Sequence, residues 1–202
     1  MHIDSVKSAY ERIHSHVVCT PLLHSKAFSD RYACEVFFKL ESLQHTGSFK
    51  LRGAFNKLMS LPPGALSAGV VAASSGNHGA AVSFCLAQLG AQGVVYVPKN
   101  TSTVKTAAIR RYGAEVREYG DDGIETEKYA RSYAQRENLA YISPYNDLDV
   151  IAGQGTIGLE LRDQLSPIDA VYLSVGGGGL IGGVASYLKT SNPNIAITGC
   201  LP

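Results

Sequence analysis

Lys50 is the residue of this chain with the most chemistry open to it. It stands in Thr46-Gly47-Ser48-Phe49-Lys50-Leu51-Arg52-Gly53-Ala54, behind an apolar run, Val36-Phe37-Phe38-Lys39-Leu40, that reads as a buried strand. Gly47 permits a turn, and Ser48 is the expected cap of a helix reaching Ser60. A lysine in a first helical turn meets the positive end of the helix dipole. It therefore loses its proton more easily, and an amine must be neutral to attack a carbonyl. Two further segments carry complementary chemistry. Val70-Val71-Ala72-Ala73-Ser74-Ser75-Gly76-Asn77-His78-Gly79 runs from a strand into a small polar turn and then a helix. Hydroxyls and free N–H groups at that helix start suit an anion such as a carboxylate. Ala170-Val171-Tyr172-Leu173-Ser174-Val175 reads as another buried strand, and it opens into Gly176-Gly177-Gly178-Gly179-Leu180-Ile181-Gly182-Gly183. Six glycines in eight residues are too costly in chain entropy to be helix filler, and they let several N–H groups close on a phosphate.

The elements that must position these residues alternate. Strands are expected at 36–40, 70–73, 93–97, 115–119, 139–143, 170–175 and 195–200. Helices are expected at 48–60, 77–89, 103–112, 123–138, 150–165 and 179–189, after an amphipathic helix opening with Met1 to Lys7. Strands separated by helices of this length predict parallel sheets, whose ligands bind beyond the strands' carboxyl ends. Leu61-Pro62-Pro63-Gly64 reads as a loop where the chain can change domain.

Composition narrows the function. The chain has 202 residues, 45% hydrophobic and 17% charged, with a net charge of +1, which is ordinary globular composition. Lys105, Arg110, Arg111 and Arg117 are spread along one helix and strand, so no nucleic-acid partner is expected. No apolar run approaches membrane-spanning length and no signal peptide opens the chain. Cys19, Cys34, Cys85 and Cys200 lack metal or redox spacing. Cys34 and Cys85 read as small core residues, and reduced thiols in a cytoplasmic protein are expected, with no metal site.

The lysine after its turn, the Ser-Ser-Gly-Asn-His-Gly loop and the tetraglycine occur here in the order that resembles the fold-type II pyridoxal-phosphate enzymes, specifically the serine/threonine dehydratase and serine racemase group. Cys19-Thr20-Pro21-Leu22 and Ile151-Ala152-Gly153-Gln154-Gly155-Thr156 fit the same order, and the resemblance runs from about Ser5 onward. It implies an α/β, tryptophan-synthase-β-like fold with two open parallel-sheet domains. The larger would take residues 1–68 and 146–202, and the smaller 69–145. It implies pyridoxal 5'-phosphate as cofactor, with Lys50 forming its Schiff base and Phe49 packing on its ring. Asn77 would bond the ring hydroxyl, and Gly176, Gly177, Gly178 and Gly179 would hold the phosphate. Ser74, Ser75, Gly76, Asn77 and His78 would bind the substrate carboxylate, and Ser75 is where racemases place an acid/base opposite the lysine.

The implied reaction is dehydration of L-serine, L-threonine or a related β-hydroxy amino acid to a 2-oxo acid and ammonia. Serine racemase is the alternative. Dehydratases dedicated to threonine more often carry alanine at position 75, so Ser75 draws the reading toward racemases or broader hydroxyamino-acid enzymes. A homo-oligomer is expected at full length, with a small amino acid as substrate. Family members continue beyond Pro202, into the segment carrying the pyridine-nitrogen partner and the racemases' cation-binding acids. Leu201 also stands where relatives have glutamate. The larger domain is thus expected to be incomplete at its C-terminus and the chain to be a fragment, a truncated or frameshifted product, or an inactive remnant. His45, only partly charged near neutrality, replaces a basic residue of nucleotide-regulated relatives. A dinucleotide-binding module is the reading from another class. Gly177 to Gly182 satisfies its glycine pattern, but no acidic residue follows about 20 positions on.

Overall fold

A computed structural model describes residues 3–201. Its most buried strand, β3 (Val70–Ala73), is covered on both faces. Because side chains alternate along a strand, Val70 and Ala72 enter one core with Leu51, Phe55, Cys85 and Leu86, while Val71 and Ala73 enter another with Tyr96, Ala130 and Ala134. β3 lies between β4 (Gly93–Val97) and β6 (Ala140–Tyr141), and β5 (Glu115–Glu118) completes a four-stranded sheet of order β5-β4-β3-β6. All its pairings are parallel, as the alternating pattern requires. α5 (Asn77–Leu89), α6 (Thr103–Arg110) and α7 (Gly123–Arg136) connect the strands.

The rest of the chain is a helical layer. α1 (Ile3–Ile13) and α3 (Lys50–Met59) pack on α8 (Leu148–Gln164), which also carries α9 (Gly179–Ser191). α8 is buried without a break from Ala152 to Leu161, which explains its lack of a polar stripe. β7 (Ala170–Ser174) and β8 (Ala196–Cys200) flank α9 as a parallel pair.

Several expectations change. The apolar run at 36–40 is not a buried strand. Only Phe37–Lys39 pairs, as β2, antiparallel to β1 (Leu22–His24) in a surface ribbon that leaves Phe38 43% exposed. β7 is mostly exposed as well, because β8 covers one edge only and Leu173 alone is buried. Cys34 is exposed beside the short helix α2 (Lys26–Tyr32), while Cys85 is buried as expected. Ser48 does not cap α3. Phe49 holds the cap position in a helical conformation, and the Lys50 N–H reaches Ser48 Oγ only at 3.4 Å. Just beyond the loop at 61–64, α4 (Ala65–Ala68) adds one turn. The first helix begins at Ile3, and its expected first residues, Met1 and His2, lie outside the described residues. Among the described residues no helix is long and apolar enough to cross a membrane.

Candidate active site

Lys50 is the first residue of α3 and half-buried. Its Nζ donates to the Pro144 carbonyl at 2.7 Å and lies 5.3 Å from the centroid of the Phe49 ring. Among the described residues Pro144 O is its one hydrogen-bond acceptor. An ammonium with one partner in a desolvated place is poorly supported, and burial lowers the Lys50 pKa. The amine is thereby shifted toward its nucleophilic form, the direction the sequence suggested, and desolvation is the cause the structure adds.

The four glycines follow β7 and open α9. They line the same cleft as Phe49 and Lys50, and Tyr145, Ser174 and Leu180 complete the lining. Their side-chain-free state has different causes along the run. Gly178 has φ +84°, a left-handed conformation that favours glycine. A Cβ at Gly177 would enter the Tyr145 ring, and one at Gly179 would come 3.1 Å from Tyr145 Cα. Beyond Gly176 and Gly178 a Cβ would meet nothing, so the space is open. Among the described residues the N–H groups of Gly176, Gly177 and Gly178 donate to no backbone carbonyl. Unpaired donors at a helix N-terminus, facing open space, fit a phosphate. Lys50 in the same cleft fits an aldehyde, so both ends of pyridoxal phosphate find suitable residues. Tyr145 escaped the sequence reading, since one tyrosine in a connection carries no periodic signal.

The loop after β3 does not line that cleft. Ser74 and Ser75 are half-buried and Gly76 and Asn77 exposed. Gly76 N–H donates to Ser74 Oγ at 3.1 Å, and α5 begins at Asn77 with no side-chain cap, leaving donors for an anion. His78 is turned inward, 3% exposed. Its Nε2 bonds the Ile142 carbonyl at 2.9 Å, and its Nδ1 is buried without a partner. The ring is a strut between α5 and the end of β6. It offers no positive charge to a carboxylate, which leaves His78 only its backbone N–H for that role. Burial, aided by the nearby Lys50 charge, pushes its pKa down to about 4. An unfolded histidine titrates near 6.5, so as pH falls from 6.5 through 4 the unfolded chain takes up a proton the folded one refuses. Stability present above pH 6.5 is therefore lost on acidification, by about 3 kcal/mol from this residue. Urea unfolding of His78→Gln should show a smaller loss between pH 7 and pH 4 than the unaltered chain; equal slopes would show that His78 is not responsible.

Beneath the site lies a buried ionic cluster that sequence reasoning missed. Arg52, 0% exposed, donates to Glu160 through Nη1 at 2.6 Å and Nη2 at 3.0 Å. It also donates to Glu41 through Nε at 2.9 Å and Nη2 at 2.8 Å. Lys39 pairs with Glu160 at 2.5 Å, and Thr20 Oγ1 donates to Glu41 at 2.6 Å. Burial alone would lower the Arg52 pKa, but the two carboxylates outweigh it and raise it. The Cys19-Thr20-Pro21-Leu22 segment has its structural purpose here, in the Thr20 hydroxyl and carbonyl.

A model of the family described as pyridoxal-phosphate dependent enzyme matches residues 13–202. The chain is 44% identical over 197 residues to the catabolic L-threonine dehydratase TdcB of Escherichia coli (strain K12), covering 98% of this chain and 60% of that protein. It is 39% identical over 200 residues to the serine racemase of Dictyostelium discoideum, covering 99% of this chain and 62% of that one. The crystal structure of that racemase superposes with a TM-score of 0.94 over 100% of this chain and 66% of its own. The processed form of threonine deaminase isoform 2 from Solanum lycopersicum gives 0.93 at 36% identity, over 100% of this chain and 57% of its own. The chain thus spans about three fifths of the length of these relatives.

Proposed function

Because this chain belongs to the pyridoxal-phosphate dependent enzymes, we propose that it carries the catalytic part of a dehydratase (ammonia-lyase) acting on L-serine, L-threonine or a related β-hydroxy amino acid. The observation that carries this reading is one cleft joining Lys50 to the glycines at the start of α9. The bound cofactor supplies an electron sink that makes the α-proton of an amino acid removable. The chain's own residues do the rest. Gly176 to Gly179 hold the phosphate through backbone N–H groups, Phe49 packs against the ring, and Asn77 bonds its hydroxyl. The N–H groups from Ser74 to His78 and the hydroxyls of Ser74 and Ser75 hold the substrate carboxylate. Lys50 Nζ, whose pKa burial lowers, takes the proton from the α-carbon. The β-hydroxyl then leaves as water, and hydrolysis of the product enamine yields a 2-oxo acid and ammonia.

In this reading residues 69–145 form a smaller domain around the four-stranded sheet, and 1–68 with 146–202 belong to a larger one. The substrate is a small amino acid, and the full-length protein is a homo-oligomer of the cytoplasm, consistent with four free cysteines.

The test is to add pyridoxal phosphate to the full chain, reduce with borohydride and map the peptides, then assay oxo-acid release from serine and threonine. A pyridoxyl mass on Lys50 with turnover is expected. A labelled Lys50 with no oxo acid from either substrate would remove the dehydratase reading for this chain.

Serine racemase is the second reading, favoured by one observation. The Ser75 hydroxyl makes no protein hydrogen bond among the described residues, so it is free to exchange a proton. Ser75→Ala should cut racemisation at least about 100-fold while ammonia release falls far less. Chiral chromatography beside an ammonia assay measures both, and equal losses would make Ser75 a binding residue only.

A further inference from the structure

The Gly153-Gln154-Gly155 segment has no part in the chemistry above, yet it lies between the two ends of the proposed site. Gly153 faces α3, where a Cβ would come 2.6 Å from Arg52 O and 2.7 Å from Gly53 Cα. Gly155 faces α9, and the contact is reciprocal: a Cβ on Gly183 would come 2.6 Å from Gly155 N. Lys50 begins α3 and the glycine cradle begins α9. The two helices are thus bolted to opposite sides of one short stretch of α8.

Gln154 adds a polar lock. α3 has no side-chain cap of its own, and the Phe49 carbonyl, which a regular first turn would offer to the Gly53 N–H, accepts from the Arg52 N–H at 3.1 Å instead. The Gly53 N–H, one turn beyond Lys50, donates to Gln154 Oε1 at 3.2 Å. Gln154 is 1% exposed and its Nε2 is buried with no partner. An orphaned amide inside a core is unfavourable, and a leucine or methionine would avoid it. The oxygen is what the position requires. Gly53 must in turn lack a side chain, since a Cβ there would run into Gln154 Nε2.

We propose that Gln154 is a positioning residue: by capping the first turn of α3 from α8, it fixes the Lys50 amine at the distance from the cradle that lets one molecule engage both. This rests on the cofactor reading given above. The physical reason is effective concentration. Two weak sites act together on one ligand only while their separation matches it, and about 1 Å of misplacement is costly.

The experiment compares capture of pyridoxal phosphate with capture of pyridoxal, which lacks the phosphate, at Lys50 in the full chain by borohydride reduction and mass mapping. Amide hydrogen exchange at Gly53 is followed in the cofactor-free protein. In Gln154→Met the preference for pyridoxal phosphate over pyridoxal should fall at least tenfold, and the Gly53 amide should exchange at least tenfold faster. Gln154→Glu keeps the acceptor oxygen at the same reach and should restore both. If the methionine variant does not fold, Gln154→Asn, which withdraws the oxygen by one carbon, carries the same expectation. An unchanged preference, or an equal loss of both aldehydes, overturns the proposal, as does unchanged Gly53 exchange. Failure of the unaltered chain to capture either aldehyde overturns the cofactor reading instead, and Gly53 exchange still decides the cap.

Discussion

Lys50→Ala should release ammonia from serine and threonine at least about 1,000-fold more slowly than the unaltered chain, and should carry no pyridoxyl label after borohydride treatment. The size of the effect follows from the lysine's surroundings. Among the described residues its one acceptor is the Pro144 carbonyl, and its pKa is lowered by burial, so at moderate pH more of it is the free base than of a surface lysine. Among the described residues no other primary amine lines the cleft. Its removal should leave the fold intact, because the alanine is compatible with a first helical turn and the ammonium had a single weak anchor. Circular dichroism and urea unfolding would establish that. Turnover within tenfold of the unaltered chain, in a folded Lys50→Ala protein, would sink the role assigned to this residue.

Arg52→Met should lower unfolding free energy by about 3–5 kcal/mol at pH 7 in urea. The guanidinium is fully buried and pairs with two carboxylates at once. Glu160 would keep Lys39 as a partner, but Glu41 would keep only the Thr20 hydroxyl. A largely desolvated carboxylate left without its cation is the expensive result, more than the loss of the pair itself. Arg162→Met is the comparison, since Arg162 pairs with Asp163 in solvent at 2.7 Å. That change should cost under about 1 kcal/mol. Similar small costs for both variants would show that the buried cluster is not an anchor of α3 on α8.

What could be read from the sequence was what repeats or breaks a pattern. The parallel sheet was legible because 70–73 and 93–97 are apolar runs between helix-length segments. The lysine turn and the two glycine-bearing loops at 74–79 and 176–183 were legible because glycine and small polar residues interrupt those runs. The ribbon at 22–24 and 37–39 was misread, because three residues per strand are too few to show alternation. Arg52 was invisible for another reason. An arginine in a helix reads as surface, and only the fold brings Glu41 and Glu160, far apart in the chain, to either side of it. Tyr145 depended likewise on the approach of Gly177 from a distant connection. The inward turn of His78 followed from the end of β6, which no local pattern announces.

The core that β3 shares with α3 also bears on motion. Leu51, Phe55 and Leu58 from the helical layer interlock with Val70, Ala72, Cys85 and Leu86 from the sheet layer, all 2% exposed or less. This seam runs across the division proposed between the domains. Separating its two sides would return several large side chains to water together, so opening there is closed to thermal fluctuation. Displacing segments outside this seam costs less than opening it. The loop at 74–76, with Ser74 and Ser75 half-buried and Gly76 exposed, carries little buried apolar surface and is the cheaper place for displacement. The lysine begins α3, whose Leu51, Phe55 and Leu58 belong to the seam, so it is tied to the part of the molecule hardest to open.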